Sequence, residues 1–547
     1  MRTLLAGLLA AGLVTPSLAQ DLLIHGGPIY TGVAAAPKVE AVVVKGGRVA
    51  FTGSLAEARR QRAGAKDIDL KGAAAYPGFV DAHAHLTGIG LRELTLNLEG
   101  APSAAALVER LQAWAAQRPG ADPISGRGWI ETHWPEKRFP TRVDLDRAVP
   151  DRPVVLGRAD GHALAANSAA LKLAGIDRDT PAPDGGQILK DAAGEPTGML
   201  IDNAMDLVAS KIPPPSAAVR REAVKRAVEL YAARGWTGMH NMGSTAEEQA
   251  ELKALAATGA LPIRVDSYMA ADAGAGVLQA GPARDAAGML QVQGVKYYVD
   301  GALGSRGAAL LEPYADAPGI GLLVTPKPVI DAALAQARKS GAQLAVHAIG
   351  DRGNRMALDA FQQAFADDPA GLKGARMRVE HAQVLALEDL PRFAGLGVVA
   401  SMQPSHAIGD LYFAPARLGP DRLKGAYAWE SLLKSGASVA AGSDAPVEKG
   451  DPLVEFYAAA YRHDLKGFAG PDWGLDEAVT RQQALDILTK GPAYAAFRDA
   501  ELGVLTPGRL ADLSVFSADL MTASFPDIAK AHAVMTIVGG KVVYQAR

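Results

Sequence analysis

The chain has 547 residues, with 56 Lys and Arg against 59 Asp and Glu, a formal net charge of −3, and hydrophobic and charged fractions of 49% and 21%. That balance suits a folded protein with a large core and supplies no basic surface for nucleic acid or an anionic membrane. Cysteine is absent, which excludes disulfides and thiolate ligands, so a metal site here must use histidine and carboxylate. The length exceeds one minimal domain and fits a large barrel with additions, and no repeat or low-complexity tail interrupts it.

Residues 1–19 (MRTLLAGLLAAGLVTPSLA) read as a signal peptide: one early Arg, a short apolar run, and small residues before a cut after Ala19. A buried N-terminal helix is the alternative. Export to a bacterial periplasm or beyond follows from the first reading. Residues 20–76 alternate short strands with Gly-Gly turns, and 499–547 repeat that style, so the two ends are expected to share one small β-sandwich. Between them, from 77 to 498, apolar strands alternate with Ala-rich helices. The fold class expected is α/β, a (β/α)₈ TIM-type barrel. The stretch from about 88 to 235 is long for two barrel units and predicts an insertion near the barrel mouth.

In such a barrel the reactive groups sit where strands end. PGFVDAHAHL (77–86) ends in His83 and His85, which alternation places on one strand face. VKYYVDGA carries Lys296, QLAVHAIGD His347, ARMRVEHAQ His381 and ASVAAGSDAP Asp444. A lone strand-end histidine is more often a hydrogen-bonded core residue. Five such strands in chain order, the one carrying Lys296 included, point instead to one metal site.

These phrases resemble the metal-dependent amidohydrolase superfamily, in its amidohydrolase-3 (YtcJ-like) subgroup. The likeness extends through FPTRVDLDRAVPDRPVVLGRADGHALAANSAAL, KYYVDGALGSRGAALLEPY, SMQPSH and LGVLTPGRLADLSVF, nearly the whole mature chain. The resemblance implies Zn²⁺, one or two divalent ions. His83, His85 and Asp444 would hold the more buried ion, and His347 and His381 the more exposed one. Lys296 would bridge them as N6-carboxylysine; its alternative is an ordinary buried amine paired with Asp300. The implied activity is hydrolysis of an amide-type C–N bond, N-acyl, N-formyl or related, by metal-activated hydroxide. Asp444 would serve as base and then acid.

Further candidates reach towards the substrate. Arg158, Asp160 and His162 end a strand and could read a polar group, or form a buried salt link that shapes the loop. Trp129, with His133 and Trp134, could form an apolar lid or simply pack. His240 is expected to point towards the mouth, with Arg306 and His406 beside it. His25, His463 and His532 carry no motif. An esterase, lactonase or deaminase on the same barrel remains open, as does a non-catalytic periplasmic binding protein with a vestigial metal site. The partner expected is a small amide-type molecule, with a homodimer possible and no membrane insertion once the signal is removed.

Overall fold

A computed structural model describes residues 21–62, 64–470 and 473–547; the expected signal peptide lies outside them. Eight parallel strands form its centre: β1 (Phe79–Ala84), β2 (Trp236–Ser244), β3 (Arg264–Ala270), β4 (Leu290–Tyr298), β5 (Gln343–Ala348), β6 (Arg378–His381), β7 (Val399–Met402) and β8 (Ser438–Ala441). Each pairs with the next in sequence. Strands covered on both faces read as continuous apolar runs, and β5, QLAVHA, is buried at every position. The outer helices follow the 3.6-residue period. In Lys327–Ser340, Ile330, Ala333, Leu334 and Ala337 face inward, and Gly341 ends the helix at φ +77°.

The gap between β8 and β1 is bridged by loop and side-chain contacts rather than a ladder. Asp444 N donates to the His83 carbonyl at 2.6 Å. The buried Asp81 carboxylate accepts from Ser443 N at 2.8 Å and Ser443 Oγ at 2.5 Å. Gly442 is required at this seam, since a Cβ there would stand 2.4 Å from His83 N.

The two chain ends meet in one eight-stranded sheet, where Leu513–Phe516 runs antiparallel to Ala74–Pro77. Both ends feed one apolar core, including Ile24, Val42 and Val44 from the front and Leu513, Val515 and Ile537 from the back. This sheet docks beneath the barrel through a buried bidentate pair, Arg264 to Asp512 at 2.7 and 2.9 Å.

The insertion is a six-stranded sheet running from Leu96 to Asp202. It is narrower than 88–235 because the helices Leu86–Leu94 and Ala217–Arg234 belong to the barrel layer. They pack so closely that a Cβ on Gly90 would meet the Ala223 carbonyl at 1.9 Å. Among the described residues no helix is long and apolar enough to cross a membrane.

Removing one partner of a buried ion pair strands the other charge. Asp512→Ala is therefore expected to lose about 3–5 kcal/mol of stability, read from the denaturation midpoint. A loss below about 1 kcal/mol would show that the sheet docks by apolar contact alone.

Candidate metal centre

Each predicted ligand emerges at the carboxyl end of a barrel strand, and the six converge. His85 Nε2 is 3.0 Å and His83 Nε2 3.5 Å from Asp444 Oδ1. That oxygen is buried and accepts no hydrogen bond. The other nitrogen of each ring is already used. His83 Nδ1 donates to Glu380 Oε2 at 2.6 Å and His85 Nδ1 to the Met242 carbonyl at 2.8 Å. These bonds fix the tautomers and leave both Nε2 lone pairs facing one carboxylate, the arrangement a divalent ion needs.

His381 is set likewise, its Nδ1 donating to Gln403 Oε1 at 2.8 Å. Its ring lies 4.8 Å from His83 and 4.5 Å from His347, centre to centre. Burial first, and then neighbouring positive groups, push His83, His347 and His381 well below the usual imidazole range, so all three are neutral and able to ligate. Burial alone would raise Asp444. Its interactions with the surrounding His83, His85 and His406 rings outweigh burial and hold the carboxyl below its usual range.

Lys296 Nζ lies 3.2 Å from His83 Nε2, and burial lowers the amine to about 8. It is not paired with Asp300, whose carboxylate accepts three backbone N–H groups, from Ala309, Ile349 and Gly350. His347 Nε2 stands 3.4 Å from Asp300 Oδ1 and 3.5 Å from the Gly301 carbonyl. A second possible ligand group is His381, His406 and Asp444, with His406 Nε2 buried, unpartnered and 3.6 Å from Asp444 Oδ2. Orphaned acceptors and aligned lone pairs at the cavity floor fit a metal better than a closed hydrogen-bond network.

Backbone strain gathers at the same place. His381 sits at φ +74° and Asp444 at φ +56°, left-handed values that residues with side chains adopt at a cost and keep where surroundings enforce them.

Above the cluster opens a cavity of about 380 Å³, lined by His347, His381, His406 and Asp444 below and by Arg158, Asp160 and His162 from the insertion. Arg158 is fully committed, bidentate to Glu131 at 2.8 and 3.1 Å and paired with Asp160. It shapes the loop rather than reading a ligand. His162 Nδ1 donates to Asp202 at 2.7 Å. Burial lowers its pKa, but this bond outweighs burial and raises it.

Three expectations are corrected. Trp129 packs in the insertion's own core with Trp134, its indole N–H satisfied by the Leu156 carbonyl at 2.8 Å, and does not face the cavity. His240 lies beneath the metal layer, where its Nδ1 accepts from Arg378 at 2.8 Å. Arg306 turns outward to pair with Asp316 at 2.9 Å. His25 pairs with Asp67, and His463 stacks on Tyr461.

The amidohydrolase family model matches residues 66–544. The chain belongs to the amidohydrolase family. YtcJ of Bacillus subtilis (strain 168) is 35% identical across 95% of this chain and 99% of its own. The N-substituted formamide deformylase of Arthrobacter pascens is 28% identical across 96% and 98%. A metal-dependent hydrolase structure from Pyrococcus horikoshii OT3 superposes with a TM-score of 0.75 at 28% identity, covering 92% of this chain and 99% of that one. Family membership and the structural neighbour together make the protein a metal-dependent hydrolase.

Sequence reading missed Glu380. It accepts from His83 and is gripped by Arg378 at 2.7 and 3.1 Å, so a buried cation, anion and imidazole run in line to the metal position. Outer partners of this kind usually set ligand basicity. Glu380→Gln is expected to weaken metal binding about 10–100-fold, measured by competition with a chromophoric chelator. Unchanged affinity would reduce Glu380 to a packing role.

Proposed function

We propose that this hydrolase cleaves an amide-type C–N bond, as in N-acyl, N-formyl or related compounds, using one or two zinc ions. The observation that carries the reading is the convergence of two fixed imidazole lone pairs on the Asp444 carboxylate at the floor of the cavity. The formamide deformylase that matches almost end to end supports the amide assignment. His83, His85 and Asp444 would hold one ion and His347 and His381 the other, with carboxylated Lys296 serving both. A bound divalent ion supplies Lewis acidity, polarising a carbonyl oxygen and making water a stronger acid.

The chain's own groups do the rest. Asp444, ionised and inside the cavity, takes a proton from the attacking water and passes it to the departing amine. His162, its Nδ1 donating to Asp202, lines the cavity's opposite wall, and that bond raises its pKa against burial. The insertion lines one side of the cavity with Gly128, Arg158 and Asp160.

Lys296 is assigned as N6-carboxylysine. Its neutral amine, accessible because burial lowers it to about 8, would add to CO₂ and release a proton, giving a carbamate whose anionic oxygens would serve as metal ligands. The neutral fraction grows as pH rises through that value. Metal content in bicarbonate is expected to be two per chain, and one in Lys296→Ala. A single ion in the unaltered protein would make Lys296 an ordinary amine.

Export is proposed from residues 1–19 alone. A mature form beginning at Gln20 supports it, and an uncleaved Met1 form confined to the cell interior contradicts it.

Release of amine from N-acyl amino acids, N-formyl amines and aryl amides tests the reaction. Release should vanish with chelator, return with zinc, and fall at least about 1,000-fold in Asp444→Asn with the melting temperature kept. Inertness to every amide, with turnover of esters, lactones or aminopurine-type amines, would move the assignment to those reactions on the same barrel.

A further inference from the structure

Arg127 is a cation of the cavity wall that the site's own chemistry does not use. It leaves the strand Ile124–Trp129, where pairing with Val154–Arg158 shifts register between Arg127 and Trp129. Gly128 at this bulge takes φ +111°. A bulge re-aims the side chains beside it. Here it sends Trp129 into the insertion's core and Arg127 into the cavity that contains His347, His381 and Asp444.

The guanidinium is seated. Nη2 donates to the Ala159 carbonyl at 2.8 Å, and a Cβ on Gly161 would come within 2.9 Å of the same nitrogen. Its charge is not answered. Arg127 forms no ion pair among the described residues, and its buried Nε has no partner. Burial lowers its pKa, and the largest opposing influence is Asp444, which places the cation within electrostatic reach of the metal centre.

The other cations of this wall are committed. Arg158 is held by Glu131 and Asp160. Arg92 donates to the Glu448 and Lys449 carbonyls and lies near Glu93 and Glu99. Lys449 faces outward to Asp451 at 3.6 Å. A guanidinium whose Nε is buried without an acceptor and whose charge meets no ion pair is costly unless a ligand completes it, and its planar face matches a carboxylate.

We infer that Arg127 docks a carboxylate of the substrate, so that the amide cleaved belongs to an acidic molecule of the N-acyl amino acid class. This rests on the amide reading above, and the test separates the two. The probes are N-formyl- and N-acetylalanine, each against an uncharged analogue, N-sec-butylformamide and N-sec-butylacetamide. Turnover and calorimetric binding are measured on zinc-loaded protein.

The native protein should favour the anionic member of each pair at least about tenfold, and Arg127→Gln should cut that preference about 10–100-fold, with Arg127→Lys keeping part of it. An equal preference in Arg127→Gln and native protein, or none in the native protein, overturns the inference. Absence of turnover together with an Arg127-dependent binding preference would overturn amide hydrolysis and leave the anion site standing.

Discussion

The Asp81 carboxylate joins the first and last strands of the barrel, and the metal site exists because that seam closes. It accepts four hydrogen bonds, from His83 N, Tyr231 OH, Ser443 N and Ser443 Oγ. Burial pushes Asp81 up to about 6, and those donors limit the rise, so it is ionised at neutral pH. Beside it the Asp444 amide grips the His83 carbonyl, which brings residues 361 positions apart onto one oxygen. The left-handed backbone at Asp444 is tolerated because both neighbours of the seam hold it.

From that seam outward the site is a problem of placing basic and acidic groups in a dry volume. Four imidazoles, a lysine and an aspartate would repel or titrate if left to themselves. The chain meets this by giving outer nitrogens to Glu380, Met242 and Gln403. It backs Glu380 with Arg378, itself bonded to His240, Tyr268 and Ser401. The lower barrel is thus filled by a polar network instead of the usual aliphatic layers. A network of this kind is stable only when its members are satisfied, and among the buried atoms left open are Asp444 Oδ1 and His406 Nε2, where an ion would bind.

The barrel and its ligands were legible because the chemistry follows chain order: an apolar run, then a histidine, lysine or aspartate. What was not legible follows from two breaks in strand alternation. Adjacent residues should face opposite sides, yet Glu380 and His381 both reach the centre, since His381 turns left-handed and swings its ring back. At Arg127, Gly128 and Trp129 a bulge exchanges which side chain faces the cavity, so the aromatic residue drew attention and the arginine did not. The first break does not announce itself, because a positive φ at histidine has no residue signature; Gly128 inside a strand was the available sign of the second. His240 and Arg306 were misplaced for a simpler reason: depth along a strand and the direction of a long loop are set by tertiary packing.

The account stands or falls on whether an ion occupies the place these lone pairs define. Anomalous diffraction at the zinc edge, from crystals grown with zinc and bicarbonate, tests it directly. The account predicts a peak bonded to His83 Nε2, His85 Nε2 and Asp444 at about 2.0–2.2 Å. Hydrolytically active crystals with no density there, or with zinc bound only at surface histidines such as His532, would contradict it.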